Sequence, residues 1–465
     1  MQNNSESHIK TVNPATNQVE KVFPEMPDEQ VEELIVRANQ AYLTWRHTSF
    51  SQRSKLLHDI AGLMRNKKEE LARLCAIEMG KRVSEGLWEA DICAEIFDYY
   101  ADNGQELLAD EEIDTDGGSA FISFEPIGVI LSIQPWNFPF YQMTRSIASN
   151  IMAGNTVVLK HASNVPQCAA MMEQLFDEAE AIKGIYTTLF ISGSKASELI
   201  ANPYIKGVTF TGSEAAGSSV AANAGKYVKK STLELGGSDP LIVMGDADID
   251  VAVEMAARGR LSNAGQICVS PKRIIVQDYL LDEFLSKAKD IYENIKIGDP
   301  LDPDTDLGPL VSEKALEDVL KQVDEAVNAG AELVYGGKRI EGAGAYMTPA
   351  ILTGITPAMA AYSEEIFGPV LCVYPVPGQQ AAIKLANDTS YGLGATIVGT
   401  DIDEAIKVAR DIESGMVYIN HVTGIAPELP FGGTKSSGYG REQAEDGIKE
   451  FVNRKLIRVS TPEAS

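Results

Sequence analysis

Three short loops of this 465-residue chain carry side chains whose chemistries are complementary. Cys268 lies in NAGQICVSPKR (263–273), between a helix and a strand. Glu234 lies in LELGGSDP (233–240), beside a Gly-Gly pair where backbone can approach a ligand closely. Asn137 lies in QPWNFPF (134–140), a proline-bracketed loop just after a strand end. A thiol nucleophile, a carboxylate base and an amide donor for a developing oxyanion make an acyl-transfer set. The residue types alone leave a plainer alternative open, in which these are a buried structural cysteine, a surface glutamate and a turn asparagine. A fourth stretch, VTFTGSEAAG (208–217), runs a strand into Gly212, Ser213 and a helix start. Unpaired N–H groups there suit a pyrophosphate, although Ser213 equally reads as a plain helix cap. The usual nucleotide signatures, GxGxxG and GxxxxGK[ST], are absent.

The elements that must position these loops are legible from periodicity. Short apolar strands GVILSI (128–133), TVVLK (156–160), YTTLFI (186–191), GVTFTG (207–212) and LIVM (241–244) follow Pro126. Helical stretches such as Gln167 to Ala181 and Glu214 to Ala224 lie between them. Such alternation implies a doubly wound parallel sheet, whose ligands sit beyond the carboxyl ends of the strands. A similar alternation resumes at RIIVQ (273–277) and runs to about Ile419, giving two α/β domains. Upstream, Pro27-Asp28 opens a helix with Val31, Leu34, Ile35, Ala38, Tyr42 and Trp45 on one face. A second helix carries its apolar face from Leu56 to Leu74. The acidic run Asp110 to Asp116, then Gly117-Gly118 and SAFISF, reads as a ribbon or arm, and the tail FVNRKLIRVS as a strand.

Composition narrows the class. Forty Lys+Arg against 66 Asp+Glu give a net charge of −26, which disfavours nucleic acid and membrane surfaces as partners. Five widely spread cysteines suggest neither a disulfide framework nor a zinc site, so no metal and a reducing cytoplasm are expected. The N-terminal MQNNSESHIK lacks the apolar core of a signal peptide.

Taken in order, PWNFP, FTGSEAAG, LELGGSDP, NAGQICVSPKR, EEIFGPV (364–370) and PELPFGGTKSSGYGRE (427–442) resemble the successive motifs of the aldehyde dehydrogenase superfamily. Within it the chain is most similar to the NAD(P)-dependent succinate-semialdehyde dehydrogenases, through VLKHASN (158–164) and the placement of Arg145. The resemblance implies a cofactor domain (1–108 and 127–239), a catalytic domain (240–427), and an oligomerisation ribbon and tail (109–126 and 428–465). It implies Cys268 as nucleophile, Asn137 as oxyanion donor and Glu234 as the base that hydrolyses a thioester. Having Glu234 argues against release of that thioester to coenzyme A. Trp136, Lys160, Ser163, Gly212, Ser213, Glu365 and Phe367 match cofactor positions, and Arg145 with Tyr141 match substrate positions.

Two departures shape the expected specificity. Many NAD-preferring relatives have a glutamate where this chain has Ser163. Losing an acid that repels a 2′-phosphate, with Lys160 retained, implies that NADP is accepted as well as NAD. Lys195 reads as either a second positive contact or a solvated lysine. Some relatives carry an arginine six residues before the nucleophile, and here Ser262 stands there. The expected substrate is a short carboxylated aldehyde gripped by Arg145. A broad aliphatic aldehyde dehydrogenase and a catalytically silent scaffold remain alternatives. A homodimer or homotetramer is expected.

Overall fold

The computed structural model describes residues 9–460. Most of the N-terminal stretch read for a signal core, and residues 461–465 of the tail, lie outside the described residues.

The α/β expectation is met by two large sheets. Across the six-stranded sheet the order is Gly438–Tyr439, Lys230–Glu234, Ile205–Thr211, Val129–Gln134, Thr156–His161, Tyr186–Thr188. All neighbours are parallel except the edge strand Gly438–Tyr439. Helices cover such a sheet on both faces, so its strands read as continuous apolar runs. In Val129–Gln134 every residue is buried. Burying side chains such as Ile130 and Leu131 stabilises the fold by about 1.5–3 kcal/mol each.

Chain direction makes this sheet a binding platform. It grows from Val129–Gln134 through Thr156–His161 to Tyr186–Thr188, then returns with Ile205–Thr211 on the other side of Val129–Gln134. A reversal of strand order opens a crevice beyond the carboxyl ends of the two central strands. Trp136 and Asn137 follow one of those ends, and Gly212 and Ser213 follow the other.

The seven-stranded sheet has the order Glu332–Gly336, Ala350–Thr353, Val370–Val376, Arg273–Gln277, Pro240–Val243, Gly394–Val398, Met416–Ile419. Only Glu332–Gly336 is antiparallel to its neighbour. Cys268 precedes the amino end of Arg273–Gln277, so the reactive loops come from two sheets rather than one. A third, three-stranded antiparallel sheet joins Val452–Ser460, Gly118–Pro126 and Glu111–Ile113. Its outer strand exposes Leu456 and Val459. Residues 434–439 do not join it: Thr434–Lys435 pairs with Tyr391–Gly392, and Gly438–Tyr439 edges the six-stranded sheet.

Some elements differ from their sequence reading. The strand read as 186–191 ends at Thr188. The second helix is two, Phe50–Asn66 and Lys68–Met79, broken at Lys67 where the backbone leaves helical angles (φ −111°, ψ 15°). Pro139–Ala153 is buried along its whole length, with polar Gln142, Arg145, Ser146, Ser149 and Asn150 included, so no face of it is turned to solvent. Among the described residues, no helix is long and apolar enough to cross a membrane.

Candidate active site

The loop carrying Asn137 is fixed from below. Glu89 is fully buried and accepts hydrogen bonds from the backbone N–H groups of Phe140 (2.8 Å) and Tyr141 (3.0 Å). It thereby supplies partners to unpaired donors in the first turn of Pro139–Ala153. Its other oxygen meets Lys81, whose ammonium lies 3.5 Å from the centre of the Phe138 ring. Asn137 itself donates one amide N–H to the Gln266 carbonyl (3.1 Å) and accepts from the Gln142 amide (3.2 Å). A carboxamide has two N–H groups, so one is left for the cavity.

The segment before Cys268 is strained. Asn263, Ala264 and Gly265 all have positive φ (48°, 53° and 73°). For the two non-glycine residues that costs about 1–3 kcal/mol each and needs enforcement. Asn263 donates to the carbonyls of Asn137 (2.8 Å) and Gln266 (3.3 Å), and Gln266 donates back to Asn263 (3.1 Å). A Cβ at position 265 would stand 2.2 Å from the Gly368 carbonyl oxygen, so only glycine fits. The strain sets the Cys268 loop against both the Asn137 loop and the 364–370 segment.

Cys268 is partly exposed and lines a cavity of about 220 Å³. The other four cysteines are buried and unpaired. Trp136, Asn137, Gly212, Ser213, Glu365 and Phe367 share that cavity wall, so seven of the sites proposed from sequence converge. The Trp136 and Phe367 rings meet edge to face, 5.9 Å between centres. Ser213 caps the helix Glu214–Lys226 with no side-chain hydrogen bond to it, which leaves the hydroxyl exposed for a ligand. Gln142, Thr211, Leu235 and Gly236 also line the cavity. The sequence reading missed Gln142 and Thr211, because neither type stands out from its neighbours.

Burial pushes the Cys268 thiol up to about 12, with the Arg145 and Lys272 charges pulling it back down and the Asp239 and Glu365 carboxylates adding to the rise. Glu234 ends its strand directly behind Leu235 and Gly236 and is 2% exposed. Neither of its carboxylate oxygens has a hydrogen-bond partner among the described residues. Its pKa is raised well above the usual carboxylate range, by burial first and by Glu442 next, with Arg145 and Arg441 opposing. A carboxylate whose proton affinity is raised by its site is a stronger base than a fully solvated one.

Lys160 is half-buried at the carboxyl edge of Thr156–His161, in register with Ile133, and burial lowers its pKa. Ser163 follows in the next loop. Both sit outside the wall of the Cys268 cavity, toward the far end of the same sheet edge. Lys195 is paired with Asp28 at 2.9 Å, which fits the reading of it as a surface lysine.

Arg145 and Tyr141 are not brought to the cavity. The Arg145 guanidinium is 1% exposed, pairs with Glu442 at 2.8 Å, and donates to Gln142. It lies between the Tyr141 and Phe431 rings, 4.9 and 4.6 Å from their centres. Tyr141 donates its hydroxyl to Gln443 (2.9 Å). The Arg145 guanidinium, expected to grip a substrate carboxylate, here faces Glu442, a residue to which the sequence reading gave no role, and its Nη1 has no hydrogen-bond partner among the described residues. Glu442 is also held by Thr209 (2.9 Å).

A second cavity, of about 500 Å³, borders the same loop through Ile267, Val269 and Ser270. Trp88 and Phe138 supply its aromatic wall, and Ser84, Glu85, Ser262, His421 and Thr423 join Ser270 as its polar groups. Among the described residues, no lysine or arginine lines either cavity.

The family model for the aldehyde dehydrogenase family matches residues 1–457. Succinate-semialdehyde dehydrogenase (NADP+) of Deinococcus radiodurans is 46% identical over 453 residues, covering 97% of this chain and 95% of that protein. The Mycobacterium avium enzyme of the same name is 43% identical and covers 97% of each. A crystal structure of succinic semialdehyde dehydrogenase from Streptococcus pyogenes in complex with NADP+ superposes with a TM-score of 0.96. It is 44% identical and covers 97% of this chain and 100% of that one.

Proposed function

The chain belongs to the aldehyde dehydrogenase family, and from that premise we propose that it oxidises succinate semialdehyde to succinate with NADP+. One observation carries the reaction type: Cys268, Asn137 and the ring pair Trp136–Phe367 wall a single cavity, with Glu234 buried directly behind it. Similarity to NADP-dependent relatives over nearly the full length carries the substrate.

Residue types at the edge of the six-stranded sheet fit the dinucleotide. Ser213 offers a free hydroxyl at a helix start, Glu365 an acceptor for ribose hydroxyls, and Lys160 a charge beside the adenosine end. Position 163 presents a serine where an acid would repel a 2′-phosphate. Bound NADP+ supplies the hydride acceptor.

Cys268, as thiolate, attacks the aldehyde carbon and forms a thiohemiacetal. The free N–H of the Asn137 amide and the Cys268 backbone N–H hold its oxyanion, and losing one such donor typically costs about 2.7–4 kcal/mol. After hydride departs, an acyl thioester remains on Cys268. Glu234 takes a proton from the water that hydrolyses it, and succinate leaves. The 500 Å³ cavity beside Ile267 and Val269 receives the aldehyde's chain. Arg145 acts from beneath, with Glu442, by setting the charge around Glu234.

The absence of lysine and arginine from both cavity walls favours a second reading, a broad aliphatic aldehyde dehydrogenase. Absorbance at 340 nm with succinate semialdehyde, glutarate semialdehyde and hexanal, each with NADP+ and NAD+, separates the two. The highest kcat/KM is expected for succinate semialdehyde with NADP+. Equal values for hexanal establish the second reading, and no reduced cofactor from any aldehyde overturns both. The exposed outer strand Val452–Ser460 supports assembly into a homodimer or homotetramer, and the five unpaired cysteines support a cytoplasmic setting.

A further inference from the structure

We propose that Lys272 is a positioning residue that locks the Cys268 loop and the cofactor-side carboxylate Glu365 into one unit and aims the Cys268 backbone N–H. Lys272 is 3% exposed. An ammonium so deeply buried is tolerated only when its donors are satisfied. It has three N–H donors, and three acceptors surround it. They are the carbonyls of Ile267 (3.1 Å) and Cys268 (2.7 Å), and Glu365 (3.2 Å). Two of these belong to the loop of the nucleophile and the third faces the Cys268 cavity.

The lysine is itself a rigid post. Its backbone N–H donates to the Asp239 carbonyl (3.0 Å) and its carbonyl accepts from Cys372 (3.3 Å), so both neighbouring strands of the seven-stranded sheet anchor it. The Gly236-Gly237 loop closes on the same point. Gly237 donates its N–H to Glu365 (3.3 Å), and a Cβ on Gly237 would stand 2.8 Å from the Cys268 carbonyl oxygen. Three loops, carrying Cys268, Glu365 and Glu234, thus meet around one ammonium.

The consequence for chemistry follows from peptide geometry. In a planar trans peptide the N–H points opposite to the C=O. The carbonyl of Ile267 shares its peptide with the N–H of Cys268. Holding that carbonyl toward Lys272 therefore directs the Cys268 N–H the other way, as an oxyanion donor requires. The positive charge also favours the thiolate. The charged groups around that thiol are Arg145 from Pro139–Ala153, Lys272 from its own loop, Asp239 from the segment before Pro240–Val243, and Glu365.

The role given to Glu365 rests on the dehydrogenase reading, so the test uses a measurement that needs neither aldehyde nor cofactor. Cys268 is the partly exposed cysteine among five, so iodoacetamide reports its ionisation. In Lys272→Met, alkylation at pH 8 is expected to slow about tenfold, the size of one pKa unit, with the midpoint of its pH profile moved upward. With succinate semialdehyde and NADP+, kcat should fall more than the aldehyde KM changes. Glu365→Gln removes a negative charge facing the thiol, so its alkylation at pH 8 should be faster than wild type. A folded Lys272→Met whose profile lies within twofold of wild type overturns the proposal. Should that variant fail to fold, Lys272→Gln decides in its place: alkylation slowed about tenfold supports the proposal, and a profile within twofold of wild type overturns it. A wild type that reduces no NADP+ with any aldehyde but shows these alkylation shifts sinks the dehydrogenase reading and leaves the proposal standing.

Discussion

Two cavities flank one loop, and they are built on different terms. The cavity around Cys268 is walled by Trp136, Asn137, Gly212, Ser213, Glu365 and Phe367, each placed by a strand end, a helix start or a strained turn. The cavity beside Ile267 and Val269 is walled by Trp88, Phe138 and the 421–425 segment, with three serines, a glutamate, a threonine and a histidine among its lining residues. They have no lining residue in common. Chemistry that must be the same in every turnover demands fixed backbone and particular residue types. A wall that only has to accommodate a chain demands shape. The first cavity is therefore written in motifs and the second is not.

The sharpest way to break that contrast is at Glu234, which belongs to the chemistry but pays in stability. Glu234→Gln should cut steady-state turnover by about 10²–10⁴-fold, the usual worth of a general base. A pre-steady-state burst of NADPH should survive, because thioester formation does not need the carboxylate. Its folded pKa is raised, so the folded state holds the proton more tightly than the unfolded chain. Stability tied to this group is full below the unfolded carboxylate range and is lost as pH rises through the folded pKa. Glu234→Gln should accordingly melt higher than wild type at pH 8, with the gap closing near pH 4 in a thermal-shift series. Unimpaired turnover removes Glu234 from the mechanism, and a lower melting point at pH 8 removes the buried-charge account of its environment.

How much of this was legible follows the same divide. Cys268, Glu234 and Asn137 could be singled out as a thiol, a carboxylate and an amide in loops beside glycine and proline, and their roles came from the family resemblance of the motifs that carry them. The alternation of apolar strands and helices placed those loops next to strand ends, and the switch of strand order beside Val129–Gln134 brought the Asn137 loop next to the Gly212–Ser213 turn. The surroundings of Arg145 were not legible in the sequence, where the family resemblance suggests a substrate contact. The partner that occupies it, Glu442, is 297 residues away in sequence and only the fold brings it to 2.8 Å. Lys272 was passed over for a similar reason, since its three acceptors include two backbone carbonyls, and carbonyls have no letter in a sequence.

Arg145 sharpens the contrast next. It lines neither cavity, so Arg145→Ala should weaken kcat/KM for succinate semialdehyde and for hexanal by the same factor. Removing one partner of a buried pair leaves Glu442 unpaired and typically costs about 3–5 kcal/mol of stability. A denaturant melt beside the kinetics checks both parts. Selective loss of the carboxylated substrate would restore Arg145 as its clamp.

A smaller effect is expected at the far end of the first cavity's sheet edge. Ser163→Glu introduces an acid near the adenosine ribose while leaving Lys160 in place. The KM for NADP+ should rise about tenfold, near 1.4 kcal/mol, with little change for NAD+. Because Ser163 lies outside the cavity wall, kcat at saturating cofactor should hold. A fall in kcat with NAD+ would mean that this end of the edge is coupled to the reacting end.

The smallest effect tests the second cavity, where shape rather than type should rule. Trp88 is 47% exposed, so truncation removes only part of an apolar wall and leaves no buried polar group behind. At about 25 cal/mol per Å² of apolar surface, losing some 40 Å² of contact with an alkyl chain is worth about 1 kcal/mol, or roughly fivefold. Trp88→Ala should therefore lower kcat/KM about fivefold for hexanal and less for succinate semialdehyde, whose chain is shorter and ends in a charge. The KM for NADP+ should not move, since the two walls share no residue. An NADP+ KM that rises in step with the hexanal defect would show that the loop from Ile267 to Ser270 transmits strain between the cavities, making them one site with two mouths.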